Sequence, residues 1–356
     1  MATNGPYDVI VVGAGITGAM VAWTLAQEGQ QVVVLEATAA MGGTVRRQPG
    51  LALLGTAKPF VALVDDIGED RAHTIWELTS DNLVRMEILL EQNEVAVTKP
   101  GSLRLAADPQ QSAVFRDSAT QLRAYGYDVE LEDDNKYEDL VAINTHDDLV
   151  FSPQDLVVKL LNHENIVDEL KAETYTTKER ADGSIAVWAH DQYLWADKVL
   201  YANGIHGARF TPQIADRLSS TNVHTVVFDA VEDLGRPLIL DDGHICFLPY
   251  QSQGFLTGWT DEEPHLLDRL RSVAEQLCPG AIVHERFTTR IATTADQLPI
   301  VGQLADKPRV YFVNGLGPLG LNLAAVAADE MTALILEDTS PEIFGLDLVC
   351  LGPRAH

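Results

Sequence analysis

The sequence predicts an α/β protein. A parallel-sheet domain with a glycine-rich turn is interleaved with a second, mixed α/β domain. Strand patterning, the position of that turn and the dispersal of the strands support the prediction. Short apolar, β-branched runs of the kind that form buried parallel strands open the chain at Tyr7 to Val12 (YDVIVV) and Gln31 to Leu35 (QVVVL). Similar runs return far downstream, at Lys198 to Ala202 (KVLYA) and Val310 to Val313. GAGITG stands between the first two, and strand-rich blocks such as Val223 to Trp259 separate the later ones. A chain of 356 residues exceeds one simple core. It is therefore expected to cross between domains, with 1–60, 140–215 and 290–356 in the first and 61–139 and 216–289 in the second.

The elements follow from local signals. Ala19 to Glu28 has helix-forming composition and ends at Gly29, a residue suited to a C-cap. With its flanking strands it makes a βαβ unit of about 30 residues. Phe60 to Asn93 patterns as helix. Gly101 to Ala106 and Tyr127 to Leu131 pattern as strands around a helix over Pro109 to Tyr125. Ser152-Pro153 offers an N-cap and a first-turn proline to a helix reaching Asn162. Ile185 to His190 and Gln192 to Trp195 read as a hairpin near the Asp182-Gly183 turn. His265 to Leu277 reads as helix, stopped by Cys278-Pro279-Gly280.

Composition excludes several functions. Hydrophobic residues make up 46% and charged residues 22%, ordinary for a globular protein. Cys246, Cys278 and Cys350 are far apart, with no CxxC or Cys/His cluster, so neither a disulfide framework nor a metal site is expected. That cysteine usage reads as a reducing compartment, and the expected location is cytoplasmic. No basic segment precedes the first strand, so a signal peptide is not expected, and no apolar run reaches membrane-spanning length. Fifty-two acidic residues against 25 basic give a net charge of -27. That charge repels nucleic acid and anionic lipid, so neither is an expected partner. A homo-oligomer is compatible with this composition.

Gly13, Gly15 and Gly18 form G-x-G-x-x-G between a predicted strand and helix. The first glycine permits a tight turn, the second lets backbone approach a pyrophosphate, and the third lets helix and strand pack closely. The helix N-terminus then offers free N–H groups to phosphate. Glu36 ends the second strand, where a carboxylate binds a ribose hydroxyl and disfavours a 2′-phosphate. These features in register predict a Rossmann-like dinucleotide site. A second glycine turn at Gly42-Gly43-Thr44, followed by Arg46, suits the longer body of FAD better than NAD.

At this point the chain resembles the D-amino acid oxidase superfamily of flavoproteins, which includes glycine oxidase and sarcosine oxidase. The resemblance is carried by VIVVGAGITG with Leu35-Glu36, GGTVRRQPG, Pro100 to Ala106 (PGSLRLA) and Ala196 to Gly204 (ADKVLYANG). A further block runs from Thr294 to Ala324, through TADQLPIVG and VYFVNGLGPLGLNLA, and the ending with Pro353-Arg354 is also similar. Asp296 and Pro299 precede the last glycine loop in the family's order. The resemblance implies an FAD-binding domain joined to a mixed α/β substrate domain, with the flavin ring between them. It implies that non-covalent FAD is held by Gly13, Ala14, Gly15, Ile16, Thr17, Gly18, Glu36 and Ala37. Gly42, Gly43, Thr44, Arg46, Arg47, Val167, Ala202, Asn203 and Gly204 extend that set. Gly315, Leu316, Gly317, Pro318, Leu319, Gly320 and Leu321 complete it, with the following helix N-terminus directed at the ring. Covalent attachment is not expected, because residues 40 to 60 and 286 to 300 contain no cysteine or histidine.

The implied activity is oxidation of the C–N bond of a small amine or amino acid. Hydride passes from the α C–H to flavin N5, water hydrolyses the imine, and molecular oxygen reoxidises the flavin to give peroxide. The flavin carries the hard step, so no single side chain is assigned as catalyst. The strands Ile245 to Pro249 and Phe255 to Thr260 are expected to face the ring, with Phe247, Tyr250 and Trp259 as walls. His206 and His244 are further candidates, although a lone histidine is more often a structural residue; His206 has the stronger case because it follows the Ala202-Asn203-Gly204 loop. Amino-acid-oxidising relatives grip the substrate carboxylate with an arginine. Aligned on Asp296 and Pro299, Ile291 occupies that place and Arg290 lies one residue off, which in a strand is the other face. Three readings remain open: a local irregularity turns Arg290 inward, the carboxylate is bound elsewhere (Arg46 or Arg47), or the substrate has no α-carboxylate. Lys58, beside Pro59, is expected to be a surface residue rather than a partner for oxygen. The alternatives are a dehydrogenase of this fold serving an electron carrier, a non-enzymatic flavin-binding partner, and an NAD enzyme, against which the second glycine turn speaks.

Overall fold

A computed structural model of the chain describes residues 6–38, 50–132, 141–173, 177–189, 191–229, 235–241, 243–259, 265–295, 297–304 and 306–337. Its first large sheet is built on Tyr7–Val12, whose Val9, Ile10 and Val11 are fully buried. This strand pairs in parallel with Val32–Glu36 on one side and with Gln192–Tyr201 on the other. Ile166–Leu170 extends the sheet beyond Val32–Glu36, also in parallel, and Lys307–Asn314 pairs in parallel with Gln192–Tyr201. Ile300–Leu304 closes that edge as an antiparallel neighbour of Lys307–Asn314. Such strands are buried on both sides, which is why they read as unbroken apolar runs.

The expected KVLYA strand is the second half of the ten-residue strand Gln192–Tyr201, whose first half pairs with Ile185–Ala189. The hairpin therefore reverses between Ala189 and Gln192, and Asp182-Gly183 joins Thr177–Glu179 to Ile185–Ala189 instead. The helical pattern over Phe60 to Asn93 resolves into two helices, Phe60–Ile67 and Glu69–Gln92. Gly68 divides them at φ 86°, a backbone state that breaks helical hydrogen bonding.

Helix Ile16–Gln27 packs against Ala324–Glu337 and Pro153–Leu161. Small buried residues are frequent on both helices, among them Ala19 and Ala22 on the first and Ala324, Ala325 and Ala328 on the second. Asp108 and Ser152 accept the N–H of Gln111 and Asp155, capping Pro109–Ala124 and Pro153–Leu161 as their proline-led starts predict.

The second large sheet runs in the order Val283–Thr293, Ser219–Asp229, Gln253–Trp259, Ile245–Tyr250, Leu238–Leu240, Ser102–Leu105, Ala142–Thr145 and Val129–Glu132. All neighbours are antiparallel except Leu238–Leu240 with Ser102–Leu105. Helix Leu266–Leu277 covers one face, where Val226, Phe228, Phe247 and Leu256 pack with Leu266, Leu270 and Ala274. A small third sheet of Gly50–Ala52, Leu149–Phe151 and Val97–Thr98 links the two.

A buried polar network fixes the segment Leu53-Leu54-Gly55 between these layers. Asp148 is fully buried and accepts the Leu54 N–H at 2.6 Å, the Ser102 hydroxyl at 2.6 Å and the Thr145 hydroxyl. Asn322 Oδ1 accepts the Leu53 N–H at 2.9 Å, and its Nδ2 donates to Gly55 O at 3.1 Å. Arg104, 3% exposed, donates to Leu54 O. Burial pushes the Asp148 carboxyl upward, and the Arg104 charge and the hydrogen-bond donors oppose that shift. Asp148→Ala leaves the Arg104 guanidinium buried without its counter-charge. The variant is expected to lose about 3–5 kcal/mol of stability in urea denaturation, and a loss under about 1 kcal/mol would mean the two charges are not coupled.

Candidate cofactor and substrate cavity

The first sheet changes winding direction at Tyr7–Val12, because the chain continues to Val32–Glu36 on one side and returns to Gln192–Tyr201 on the other. A crevice forms at the carboxyl ends of strands at such a point. Gly13 to Thr17 lies there, with Ala202 N–H bonded to Val12 O at 2.9 Å and Gly13 N–H to Leu35 O at 2.8 Å. Gly13 has φ 110°, and a Cβ there would come within 2.5 Å of Ala202 O. A Cβ on Gly18 would collide with the Gly13 carbonyl oxygen. Gly15 differs, since a Cβ there would meet nothing within 4 Å. Two glycines are thus required by packing, and the third holds space open.

From this loop a single cavity of about 690 Å³ runs to the second sheet. Along it lie Gly13, Gly15, Ile16, Thr17, Glu36 and Ala37, then Ala202, Asn203, Gly204 and His206. The segment Gly315, Leu316, Gly317, Pro318, Leu319, Gly320 and Leu321 forms another side. Gly317 N–H donates to Ala292 O at 3.1 Å, which ties that loop to the edge strand Val283–Thr293. The far wall comprises Val223, Cys246, Leu248, Phe255, Thr257, Trp259, Thr289 and Ile291, and Arg290 borders it. Leu319 and Trp259 both pack against the small buried cluster of Leu53, Ile239 and Cys246, so the glycine loop meets the sheet there.

The donor set fits the nucleotide part of FAD. Helix Ile16–Gln27 begins at Gly15 with no side-chain cap and no acid in its first turn, leaving its first N–H groups to a phosphate. Ala14 N–H donates to Glu36 Oε2 at 3.1 Å, and Thr38 donates to Oε1 from both backbone and hydroxyl, so the carboxylate is held at the cavity's edge. Asn203 Oδ1, on the cavity, is buried with no hydrogen-bond partner in the protein and suits a ligand donor.

Several expected positions fall elsewhere. Ala14 and Gly18 stand behind the cavity surface as supports. Val167 pairs with Val33, in the middle of its strand, and packs against the core. The cavity meets this part of the chain at Ala172 and Glu173, beyond the strand's end, and Ala172 N–H reaches Glu36 O at 2.8 Å. Phe247 is not a wall. It is fully buried on the opposite face of its strand, 6.0 Å from the ring of Phe228, while its neighbours Cys246 and Leu248 face the cavity. Tyr250 shares the face of Leu248 but sits at the strand's end, outside the lining. His244 lies beside the Trp259 ring at 6.4 Å and bonds Asp241 O, away from the lining. Lys58 is on the surface, paired with Asp66. Gly42, Gly43, Thr44, Arg46, Arg47, Asp296, Cys350, Pro353 and Arg354 lie outside the described residues.

Sequence reasoning missed the residue that orders the second glycine loop. Asn82, fully buried on helix Glu69–Gln92, accepts the Ala325 and Val326 N–H groups at 2.9 and 3.4 Å and donates to Leu321 O at 2.8 Å. The N-terminus of Ala324–Glu337, expected to face the ring, is therefore capped by Asn82, and a 3-10 turn over Gly320–Asn322 intervenes. No local signal marks Asn82, because its partners lie more than 230 residues away.

A doubly wound sheet with a phosphate-accepting loop at its switch point, opening onto the wall of a second sheet, defines a dinucleotide-dependent enzyme fold. The chain belongs to the FAD dependent oxidoreductase (DAO) family, whose model matches residues 8–334. Among solved structures it is similar to glycine oxidase from Geobacillus kaustophilus, with a TM-score of 0.82 and 16% identity over 99% of this chain and 100% of that one. L-proline dehydrogenase from P. horikoshii aligns with a TM-score of 0.79 and 14% identity, covering 95% of this chain and 96% of that one. L-amino acid deaminase from Proteus vulgaris gives 0.79 and 14%, covering 97% of each. At these identities the likeness is one of fold. Of curated proteins, Probable oxidoreductase OrdL of Haemophilus influenzae is 31% identical over 88 residues, 25% of this chain and 20% of that protein. L-amino acid oxidase Lm29 of Lachesis muta is 51% identical over 45 residues, 13% of this chain and 9% of that protein. The chain thus aligns with a fifth or less of the length of these curated relatives. Among the described residues, no helix is long and apolar enough to cross a membrane, and no cluster of His, Cys, Asp and Glu could hold a metal ion.

The two kinds of glycine can be told apart. Gly15→Val is expected to leave far-UV circular dichroism unchanged while bound flavin per protein falls at least about tenfold, since the side chain fills the open space and the loop no longer accepts a diphosphate. Gly18→Val is expected to lower the melting temperature and yield in step with flavin loss, because the collision is with backbone. Equal flavin content in Gly15→Val and wild type would place the cofactor elsewhere.

Proposed function

We propose that this FAD-dependent oxidoreductase oxidises the C–N bond of a small amine, with FAD held non-covalently and molecular oxygen as the final acceptor. The supporting observation is the continuity of the cavity. Its nucleotide end is polar backbone, and its sheet end is an apolar wall where a C–H donor can lie desolvated. When bound, FAD supplies a hydride acceptor at N5. An amine bound with its nitrogen lone pair free would give its α C–H to that acceptor as hydride. Hydrolysis of the iminium would yield a carbonyl compound, ammonia or an amine, and a proton, and the reduced cofactor's two electrons with two protons would convert oxygen to hydrogen peroxide.

The protein's part is position and exclusion of water. Trp259, Phe255 and Leu248 form the dry wall, and Leu319 closes on it. The Gly315–Gly320 backbone lies between that wall and the nucleotide end. His206 is exposed at the cavity's rim and is suited to contact substrate on entry rather than to take the α proton. Non-covalent attachment is supported by the state of the cysteine on the cavity. Among the described residues Cys246 is the cysteine on the cavity; it is buried and its thiol is pushed up to about 12, which disfavours the thiolate a thioether would need.

The purified protein is expected to be yellow, and acid precipitation to leave the flavin in the supernatant. Anaerobic addition of primary and secondary amines and of amino acids should bleach the flavin for at least one class, and air should restore the colour with release of peroxide. Bleaching only by hydroxy acids or polyols refutes the C–N assignment. Bleaching by amines with slow recovery in air instead assigns a dehydrogenase that serves a carrier.

A further inference from the structure

The sheet end of the cavity has a chemical preference of its own. Strand Gln253–Trp259 alternates strictly, with Gly254, Leu256 and Gly258 toward helix Leu266–Leu277 and Phe255, Thr257 and Trp259 toward the cavity. Register carries this alternation across the sheet. Gly258 pairs with His224, His224 with Thr288, and Asn222 with Arg290, so these residues face the helix side. Trp259 pairs with Val223 and Val223 with Thr289, and Thr221 with Ile291, so these face the cavity. The sole irregularity between Ser219–Asp229 and Val283–Thr293 lies at Val227/Phe228, several residues from Arg290.

Arg290 therefore borders the cavity with its side chain on the other face, where Nε donates to Ser220 Oγ at 2.9 Å. The remaining cations among the described lining residues are elsewhere. Arg209 stands near Glu173, with 4.0 Å between the charged groups, and its guanidinium lies over the Phe210 ring, at the nucleotide end. His206 is at the exposed rim. Arg104, behind Cys246, is engaged with Leu54 O and lies in the field of Asp148. The wall itself consists of Val223, Cys246, Leu248, Phe255, Trp259 and Ile291, with threonine hydroxyls between them. The Thr257 hydroxyl is paired with that of Thr225 at 3.0 Å. A carboxylate placed here would lose its hydration and gain no cation from the described residues, which disfavours it.

We propose that this wall takes the apolar group of an amine whose reacting carbon bears no carboxylate. The proposal rests on the amine-oxidation reading above and names its substrate class: apolar primary or secondary amines rather than α-amino acids. Ile291, on the cavity face where a guanidinium would meet a carboxylate, is the specificity-determining residue.

Two measurements on the flavin-loaded protein test it. The first needs no turnover: perturbation of the flavin absorbance by benzyl alcohol and by benzoate, a neutral and an anionic ligand of similar shape. Benzyl alcohol is expected to bind at least about tenfold more tightly than benzoate. Ile291→Arg is expected to improve benzoate binding by about tenfold or more, whereas Arg290→Ala should change either affinity by less than about twofold. The second is anaerobic flavin reduction by phenethylamine and by phenylalanine, with the amine expected to react faster. Tighter benzoate than benzyl alcohol in the wild type, no perturbation by benzyl alcohol, or faster reduction by phenylalanine overturns the proposal and leaves amine oxidation standing. Reduction by neither compound but by hydroxy acids alone removes the C–N reading, and the proposal with it. The ligand pair in the wild type decides the matter even where Ile291→Arg fails to fold.

Discussion

The molecule depends on how closely one helix approaches two strand ends. Ile16–Gln27 starts directly above the carboxyl ends of Tyr7–Val12 and Gln192–Tyr201, and only a glycine fits where it crosses Gly13. That approach makes the first turn's N–H groups the floor of a crevice instead of burying them in a core. An uncapped helix start facing protein would be an unmet hydrogen-bonding demand, and facing a diphosphate it is a binding site. Everything else about the cavity is arranged relative to this floor. Glu36 is held at its side by Ala14 and Thr38, and Asn203 follows the strand that packs against it.

The second sheet must be held at a defined distance from that floor, and buried polar side chains do this work. Asn82 joins helix Glu69–Gln92 to the turn and helix that follow the last glycine loop. Asn322 and Asp148 both hold Leu53-Leu54-Gly55, one from the turn that follows the first sheet's last strand and the other from the segment between Ala142–Thr145 and Leu149–Phe151. Each of these groups has several partners, as a buried polar group must if it is not to be destabilising. The consequence is that the two sheets are registered by directional bonds and not only by apolar contact, which has no preferred geometry.

How much was legible in the sequence follows from the range of each signal. The opening βαβ unit and its glycines were legible because strand, turn, helix and acid are contiguous and each has a composition signature. The order of strands at 166–170, 32–36, 7–12 and 196–201 was not, since pairing is set by packing across the chain. Phe247 shows a subtler failure. Its aromatic character suggests a wall, yet period-two alternation with Cys246 and Leu248 puts it in the core under helix Leu266–Leu277. Gly254 and Gly258 flanking Phe255 in the partner strand were the available clue to which face is crowded. Val167 lies in the middle of its strand, whereas the cavity meets this part of the chain past the strand's end, at Ala172 and Glu173. Asn82 had no local signature, because its partners are distant backbone groups, and two of the three partners of Asp148 lie more than 40 residues away.

The net charge of -27 gives the cavity's architecture a further logic. A protein so acidic exerts no long-range attraction on an anionic cofactor, so the diphosphate must be held by short-range means. Backbone N–H groups at a helix start act within about one turn, well inside the Debye length of about 8 Å at physiological salt. The same surface repels carboxylate-bearing molecules on approach, most strongly at low ionic strength. An arginine inside the cavity would be the ordinary way to reverse that preference for one ligand. At the sheet wall the chain instead turns Arg290 outward to Ser220 and presents Ile291. Surface field and wall chemistry therefore act in the same direction, against anions, whereas at Gly15 the uncapped helix start offers N–H groups that suit one.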